Sequence, residues 1–164
     1  TRVEEAARLD KNDFERALAS LLKDYAETTG AVADIKIAVR SMKTGKNKDF
    51  MKRAMAECST LDIDRLATAA VAGMEEIERY LADTAYAGGA EALSESASAF
   101  ERWCDNRIIE TIKPQKYNPF TVGPIVAYIL ARLNEIKTVR IILTCKLNQL
   151  PEEAIRERVR EMYV

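Results

Sequence analysis

The chain has 164 residues, a length that suits one compact domain or two very small ones. Hydrophobic residues make up 48% and charged residues 31%, a balance that excludes both a disordered chain and a set of membrane spans. The net charge of −1 gives no overall attraction to nucleic acid or anionic lipid. Because the sequence has no histidine, His-based triads, His metal ligands and the usual general base at neutral pH are excluded.

The cysteines of the chain are Cys58, Cys104 and Cys145. Their odd number and wide spacing argue against a disulfide framework and a CxxC zinc site, which remain the alternatives. Buried thiols in a reducing cytoplasm are the better-supported interpretation. The longest uncharged run, 117–131, contains two prolines and is shorter than the ~20 apolar residues that a bilayer span requires.

Apolar residues recur at helical spacing almost throughout the chain, and only 6 Gly and 4 Pro interrupt the pattern. The predicted helices span 14–25, 32–42, 47–58, 62–81, 93–108, 124–147 and 151–162. Asn12 or Asp13 is the expected cap of the first helix, Gly45 ends the second, and Asn47 caps the third. Since no run alternates polar and apolar residues long enough to demand a strand, we predict an all-α bundle of long amphipathic helices.

Two stretches are predicted to interrupt the helices. Residues 86–89 end in Gly88-Gly89, and a glycine pair favours a break. Residues 113–123 form the one predicted extended loop because Pro114 and Pro119 oppose helix there. We therefore treat 1–164 as a single helical fragment with a possible boundary between two units within 113–123.

A phosphate-binding loop is not supported. Residues 44–46 read Thr-Gly-Lys, like the end of a P-loop. The motif also requires a glycine where Arg40 stands and a Ser or Thr where Asn47 stands. We therefore expect no nucleotide, no cofactor and no small-molecule substrate.

Glu101 and Asp105 lie one helical turn apart and resemble the paired carboxylates of general acid–base catalysis. No other catalytic group converges on them in the sequence, so a solvated helix face is the favoured interpretation. We expect a protein that is not an enzyme and has no catalytic and no metal-binding residues.

Basic residues cluster around the end of the second predicted helix. The cluster consists of Lys43, Lys46, Lys48, Lys52 and Arg53. It is the best candidate in the sequence for contact with an anion or an acidic partner, although plain solubility is the alternative. Phe50 is the one aromatic residue within it, so a nucleic-acid site is poorly supported.

The last fifty residues carry a family pattern. Residues 123–131 read GPIVAYILA, 134–136 NEI, 140–143 RIIL, 146–148 KLN and 150–151 LP. This succession resembles the C-terminal end of the C-type subunit of V-type (A-type) ATP synthases, whose counterpart in eukaryotic vacuolar ATPases is the d-type subunit. Residues 35–40 and 81–86, and Glu101 with Asp105, are similar to earlier family segments, although the Asn expected before the first of them is absent.

The resemblance implies a fold and a function. Family members consist of similar helical units arranged as a funnel, and this chain, which begins with Thr1, is expected to be the C-terminal half of such a protein. The implied function is that of a non-catalytic rotor component, cytoplasmic and peripheral at the membrane, which links the central-stalk subunits to the membrane ion-carrying ring and transmits torque. The alternative is a helical scaffold or adaptor of another cytoplasmic complex.

The helix predicted over 124–147 is apolar around more than one face. Ile125, Ile129, Leu133 and Ile136 form one stripe, and Val139 begins its continuation. A single neighbouring helix leaves part of that surface uncovered. We therefore expect the isolated chain to expose an apolar surface or to self-associate.

Overall fold

The computed structural model describes residues 2–118 and 121–163, and for residues 2–15 and 17 it describes the backbone. Its elements are α1 (Arg2–Lys43), α2 (Lys48–Ala54), α3 (Ile63–Ala72), α4 (Met74–Ala82), α5 (Ala87–Glu95), α6 (Ala97–Ile112), a 3-10 helix (Lys113–Tyr117), α7 (Gly123–Leu147) and α8 (Glu152–Glu157). No strand occurs in the described ranges, so the all-α prediction is confirmed. The contacts expected of Phe14 and Ala17, and the proline at 119, lie outside what the structure describes.

The first two predicted helices are one helix. The 42 residues of α1 span ~63 Å, so the gap predicted between the helices over 14–25 and 32–42 and the cap predicted at Asn12 or Asp13 are both wrong. Leu21, Val32 and Ile35 are buried along one continuous stripe on both sides of Gly30. This packing outweighs the roughly 1 kcal/mol that a glycine costs inside a helix.

The predicted helix over 62–81 is two helices, because Gly73 stops the first and starts the second. The φ angle of Gly73 is 139°, a backbone conformation that residues with a side chain rarely adopt. Asp62, the predicted first residue of this helix, caps α3 and accepts a hydrogen bond from the Arg65 N–H at 3.0 Å. The bend also allows the Tyr80 hydroxyl on α4 to accept a hydrogen bond from the Asp62 N–H at 2.8 Å.

Helix α2 is shorter than the helix predicted over 47–58. Gly45, at φ 63°, lies in the turn after α1, and the Asn47 side chain caps α2, as expected. The helix ends at Ala54, so the prediction of Cys58 inside it is wrong. The chain leaves the helix because the buried Asp34 carboxylate accepts the Ala56 N–H at 3.1 Å.

A break follows α4, as predicted, but it lies at 83–86, and the Gly88-Gly89 pair lies inside α5. A Cβ at Gly88 would meet Trp103 Nε1 at 2.8 Å, and one at Gly89 would meet Trp103 Cζ3 at 2.8 Å. The indole also stacks on Phe100, with ring centroids 6.2 Å apart. The two glycines are therefore needed for the close approach of α5 to α6.

The chain after α7 departs from prediction in its last residues. The last helix ends at Glu157 rather than extending to 162. The Glu157 carbonyl accepts a hydrogen bond from Arg102 at 2.7 Å, and the Glu161 N–H donates to Asn106 Oδ1 at 2.8 Å. Because α6 side chains engage these backbone groups, the segment 158–163 follows α6 without regular secondary structure. Likewise, residues 113–117 form a 3-10 helix rather than extended loop.

Two apolar clusters hold the helices together. The larger cluster contains residues from each of the helices α1 through α6. Its central residues are Ile35, Leu66, Ile77, Leu81 and Phe100. The smaller one joins α1, α6, α7 and the C-terminal segment, and consists of Leu21, Ile109, Ile112, Ala127, Ala131 and Tyr163. Long α1 contributes to both clusters and so connects α7 to the remaining helices.

The thiols are expected to react in a defined order. All three are free, and burial raises the pKa of Cys104 to about 12. Cys58 is half-buried in a loop, whereas Cys104 and Cys145 are buried in helices. In native titration with a thiol reagent near pH 8, we expect Cys58 to react first and Cys104 only on unfolding. As controls, titration in denaturant should detect all three thiols, and the Cys58→Ser variant should lack the thiol that reacts first. A native disulfide, or rapid reaction of Cys104, would contradict the expectation.

Candidate partner-binding surface

The predicted basic cluster lies around the turn between α1 and α2 and is partly neutralised. Asp64 on α3 lies 3.3 Å from Lys48 Nζ and 3.0 Å from Lys52 Nζ. Hydrogen bonds from Lys52 and Lys48 lower the pKa of this carboxyl. Lys46 lies over the Phe50 ring, 5.6 Å from its centroid.

Lys43 and Arg53 are exposed, and neither forms an ion pair among the residues that the structure describes. The structure thus brings Lys48 and Lys52 to one acid and leaves the remaining bases at the surface. Binding of an acidic partner by this cluster stays a prediction.

A cavity of about 430 Å³ opens between α3 and α4, beside Lys48. Its charged lining consists of Lys48, Arg65, Arg79, Asp64, Glu76 and Asp83. Basic and acidic side chains are equal in number there, and the Arg65 guanidinium lies 5.2 Å from the Tyr80 ring centroid. With its cations balanced in this way, the cavity shows no preference for a ligand of either charge.

Glu101 and Asp105, the carboxylates one turn apart, are each engaged by basic side chains. Glu101 accepts hydrogen bonds from Lys36 at 2.7 Å and from Arg40 at 3.1 Å. Burial alone would raise the pKa of this carboxyl, but the Lys36 hydrogen bond and the two neighbouring cations hold it below its ordinary value. An ionised carboxylate engaged by two bases cannot act as a general acid near neutral pH.

Asp105 is buried, so the expected solvated face is wrong at this position. Lys137 of α7 donates to it at 2.6 Å, and the buried Arg160 donates to it at 2.8 Å. Burial would raise the pKa of Asp105, but these two hydrogen bonds hold it below its usual range. Asp105 therefore connects α6, α7 and the C-terminal segment as a structural ion-pair centre.

The inward face of α7 consists of small residues. Its buried positions are Gly123, Ala127, Ala131, Thr138 and Cys145. Small side chains let α7 lie close to α1, α6 and the C-terminal segment. They supply little apolar area to the core, which is the reverse of the usual arrangement in an amphipathic helix.

The outward face of α7 carries the large apolar residues. Ile125, Tyr128, Ile129, Leu133, Ile136, Val139, Leu143 and Leu147 are exposed over 48% to 84% of their surface. They follow one another at helical spacing and form a stripe ~33 Å long, hereafter the α7 stripe. The exposed apolar surface that the sequence predicted is thus present. A continuous stripe of this length is typical of a surface that another protein covers.

Basic side chains interrupt and flank the α7 stripe. Arg132 bonds to Glu135, the one acidic residue of α7, and Lys137 bonds to Asp105. Arg140 and Lys146 are exposed and have no ion-pair partner among the described residues. The stripe is therefore apolar along its length and positive at its edges.

A groove adjoins the middle of the α7 stripe. Its volume is about 180 Å³, and its apolar walls include Tyr25 of α1, Ile108 of α6, and Leu130 and Leu133 of α7. Leu133 belongs to both the groove and the stripe. The groove can receive one large side chain of a molecule that lies along α7.

The described residues contain neither a helix with the length and hydropathy of a bilayer span nor a group of acidic and Cys side chains suited to a metal ion. The described residues thus form a helical protein that exposes one long apolar helix face, the α7 stripe.

Comparison with protein families assigns this helical chain to a known family. The chain belongs to the ATP synthase (C/AC39) subunit family, whose model matches residues 3–158. The members of this family are V/A-type ATPase subunits, so this chain is a subunit of such a complex. No curated protein and no solved structure matched the chain.

Proposed function

We propose that this chain is a rotor component that links the central stalk of a V/A-type ATPase to its membrane ring and transmits torque between them. In this function the chain is cytoplasmic and peripheral at the membrane, and it is the C-terminal part of a funnel of helical units. Family membership, which spans 156 residues from 3 to 158, supports assembly with other ATPase subunits.

The α7 stripe is the observation that carries the proposal. Eight large apolar side chains point away from the chain's own core, while small ones face it. A protein that worked alone would gain stability by exchanging the two faces, because burial of apolar surface yields about 25 cal/mol per Å². The exposed stripe is consistent with a component that is completed by its neighbours.

Stiffness supports the same function. Torque passes through a component only if its helices do not move relative to one another. Here α1 contributes to both apolar clusters, and Asp105 ties α6 to α7 and to the C-terminal segment through two charged hydrogen bonds. Close packing of this kind resists deformation.

The test places charges on the α7 stripe within a reconstituted V/A-type ATPase. We expect Ile136→Lys combined with Val139→Lys to reduce incorporation of the chain by ~10-fold or more, because each lysine leaves a charge buried in the interface. Ion pumping should be lost, while ATP hydrolysis by the head persists. Co-purification of the chain and the ratio of pumping to hydrolysis are the measurements.

Val71→Lys is the matched control, since Val71 is also an exposed apolar residue but lies on α3. Unchanged circular dichroism would show that each variant folds. A complex that contains the double variant in full amount and pumps as the unchanged protein does would overturn the proposal.

A further inference from the structure

We propose that the partner covering the α7 stripe is an α-helix whose own apolar stripe is flanked by carboxylates, at spacings that match Arg140 and Lys146. This inference rests on the proposed function and names the chemistry of the partner at that same surface. It depends on the exposed area of the stripe, on its charge pattern and on the groove beside it.

The exposed area fits one helix. The apolar side chains of the stripe expose on the order of 900 Å², close to the ~800 Å² that each partner contributes to an interface of standard size. The stripe is ~33 Å long and one helix face wide, and a second helix of ~22 residues covers the same length.

The charges of α7 exclude a second copy of the chain as the best-fitting partner. The helix has four basic residues, Arg132, Lys137, Arg140 and Lys146, and one acidic residue, Glu135. Antiparallel pairing of two α7 helices about Ile136 would bring Arg132 of each copy opposite Arg140 of the other. Parallel pairing would bring each base beside its own counterpart. Like charges at close range weaken an interface, whereas carboxylates in these places would stabilise it.

Arg140 and Lys146 specify where those carboxylates lie. They are six residues apart, which is ~9 Å along the helix axis, and both side chains are exposed without an ion-pair partner among the described residues. Because the two bases flank opposite sides of the stripe, a partner helix meets both if it carries acidic residues on both sides of its own apolar stripe. One large apolar side chain of that helix would occupy the 180 Å³ groove beside Leu133.

The experiment compares two probe peptides with the full chain. Each is a helix of about four heptads with leucine at the a and d positions. One carries Glu and the other Lys at the flanking positions, and both are immobilised at low density so that they cannot pair. By surface plasmon resonance, we expect the chain to bind the Glu peptide at least ~10-fold more tightly than the Lys peptide. The difference should narrow at 1 M salt, where the Debye length is about 3 Å.

Arg140→Glu combined with Lys146→Glu should reverse this preference. Lys43→Glu with Lys46→Glu changes the net charge equally, but at the turn after α1, and should preserve the preference. Equal binding of the two peptides, or binding of neither, would overturn the inference. So would sedimentation showing a dimer of the chain that Leu133→Lys abolishes, because the occupant would then be a second copy.

The same variants separate this inference from the proposed function. If the Ile136 and Val139 lysine variant assembles and pumps normally, the proposed function fails. If that variant is excluded but the Arg140 and Lys146 glutamate variant is incorporated as fully as the unchanged chain, the proposed function stands and the acidic partner is overturned.

Discussion

Replacing Asp105 with Leu is expected to lower the free energy of unfolding by about 3–5 kcal/mol, the cost of breaking a buried ion pair. The substitution leaves the buried Arg160 guanidinium with no carboxylate partner and also removes the acceptor for Lys137. Since these contacts join the C-terminal segment and α7 to α6, we expect that segment to detach before the remaining helices unfold. Urea unfolding and hydrogen exchange of residues 157–163 are the measurements.

The matched control replaces both members of the pair. Asp105→Leu with Arg160→Met removes the two charges together and should recover most of the lost stability, because apolar residues of similar volume often replace a buried pair without cost. A loss below about 1 kcal/mol for the single variant would show that Arg160 finds water or another partner, and the structural importance of Asp105 would be refuted.

Acid should weaken the same contacts. The pKa of Asp105 is lower in the folded protein than in the unfolded chain, so the contribution of this group is present above the unfolded value and is lost as the pH falls through the folded one. The pKa of Glu101 is shifted in the same direction. Burial raises the pKa of Asp34, which therefore opposes the loss. We expect unfolding free energy to fall below about pH 4, and less so in the Asp105→Leu variant.

The second large effect concerns glycine. Gly89→Ala should destabilise the protein by about 2 kcal/mol, although alanine is the better helix former by about 1 kcal/mol. The new Cβ would lie 2.8 Å from Trp103 Cζ3, and the indole is held between Phe100 and Tyr86 and cannot move aside freely. Thermal unfolding, with tryptophan fluorescence to detect displacement of the indole, is the measurement.

Gly30→Ala is the control for this experiment. Gly30 also lies within a helix, but a Cβ added there would meet nothing within 4 Å. The same substitution should therefore stabilise the protein by about 0.5–1 kcal/mol. If Gly89→Ala were neutral or stabilising as well, the close approach of α5 to Trp103 would not be the reason for glycine at that position.

Glycines also show where sequence reasoning stops. Gly30, Gly73 and Gly89 are the same residue type within helical patterns. Gly30 continues a helix, Gly73 ends one with a φ of 139°, and Gly89 leaves room for the indole of Trp103. Local pattern predicts helix content and some helix ends, as at Gly45 and Asn47. The differences among the glycines depend on side chains far away in sequence, and no local propensity contains that information.

The candidate site was predictable in part. The spacing of Ile125, Ile129, Leu133 and Ile136 was sufficient to predict an exposed apolar face, because α7 has more apolar surface than one neighbour can cover. The burial of Asp105 was not predictable. Its partner Arg160 is 55 residues away, and a charged residue on a helix resembles a solvated one until the segment that covers it is placed.

The two faces of α7 separate folding from recognition within one helix. Substitutions on the outer face can change what the chain associates with while the packing beneath is preserved, so the choice of partner can change without loss of the fold. Substitutions on the inner face instead disturb the packing of α7 against the rest of the chain. A larger side chain at Ala131 would move α7 outward as a whole and so displace all the side chains of its outer face at once. A lineage can therefore exchange assembly partners by small surface steps without first acquiring a new fold.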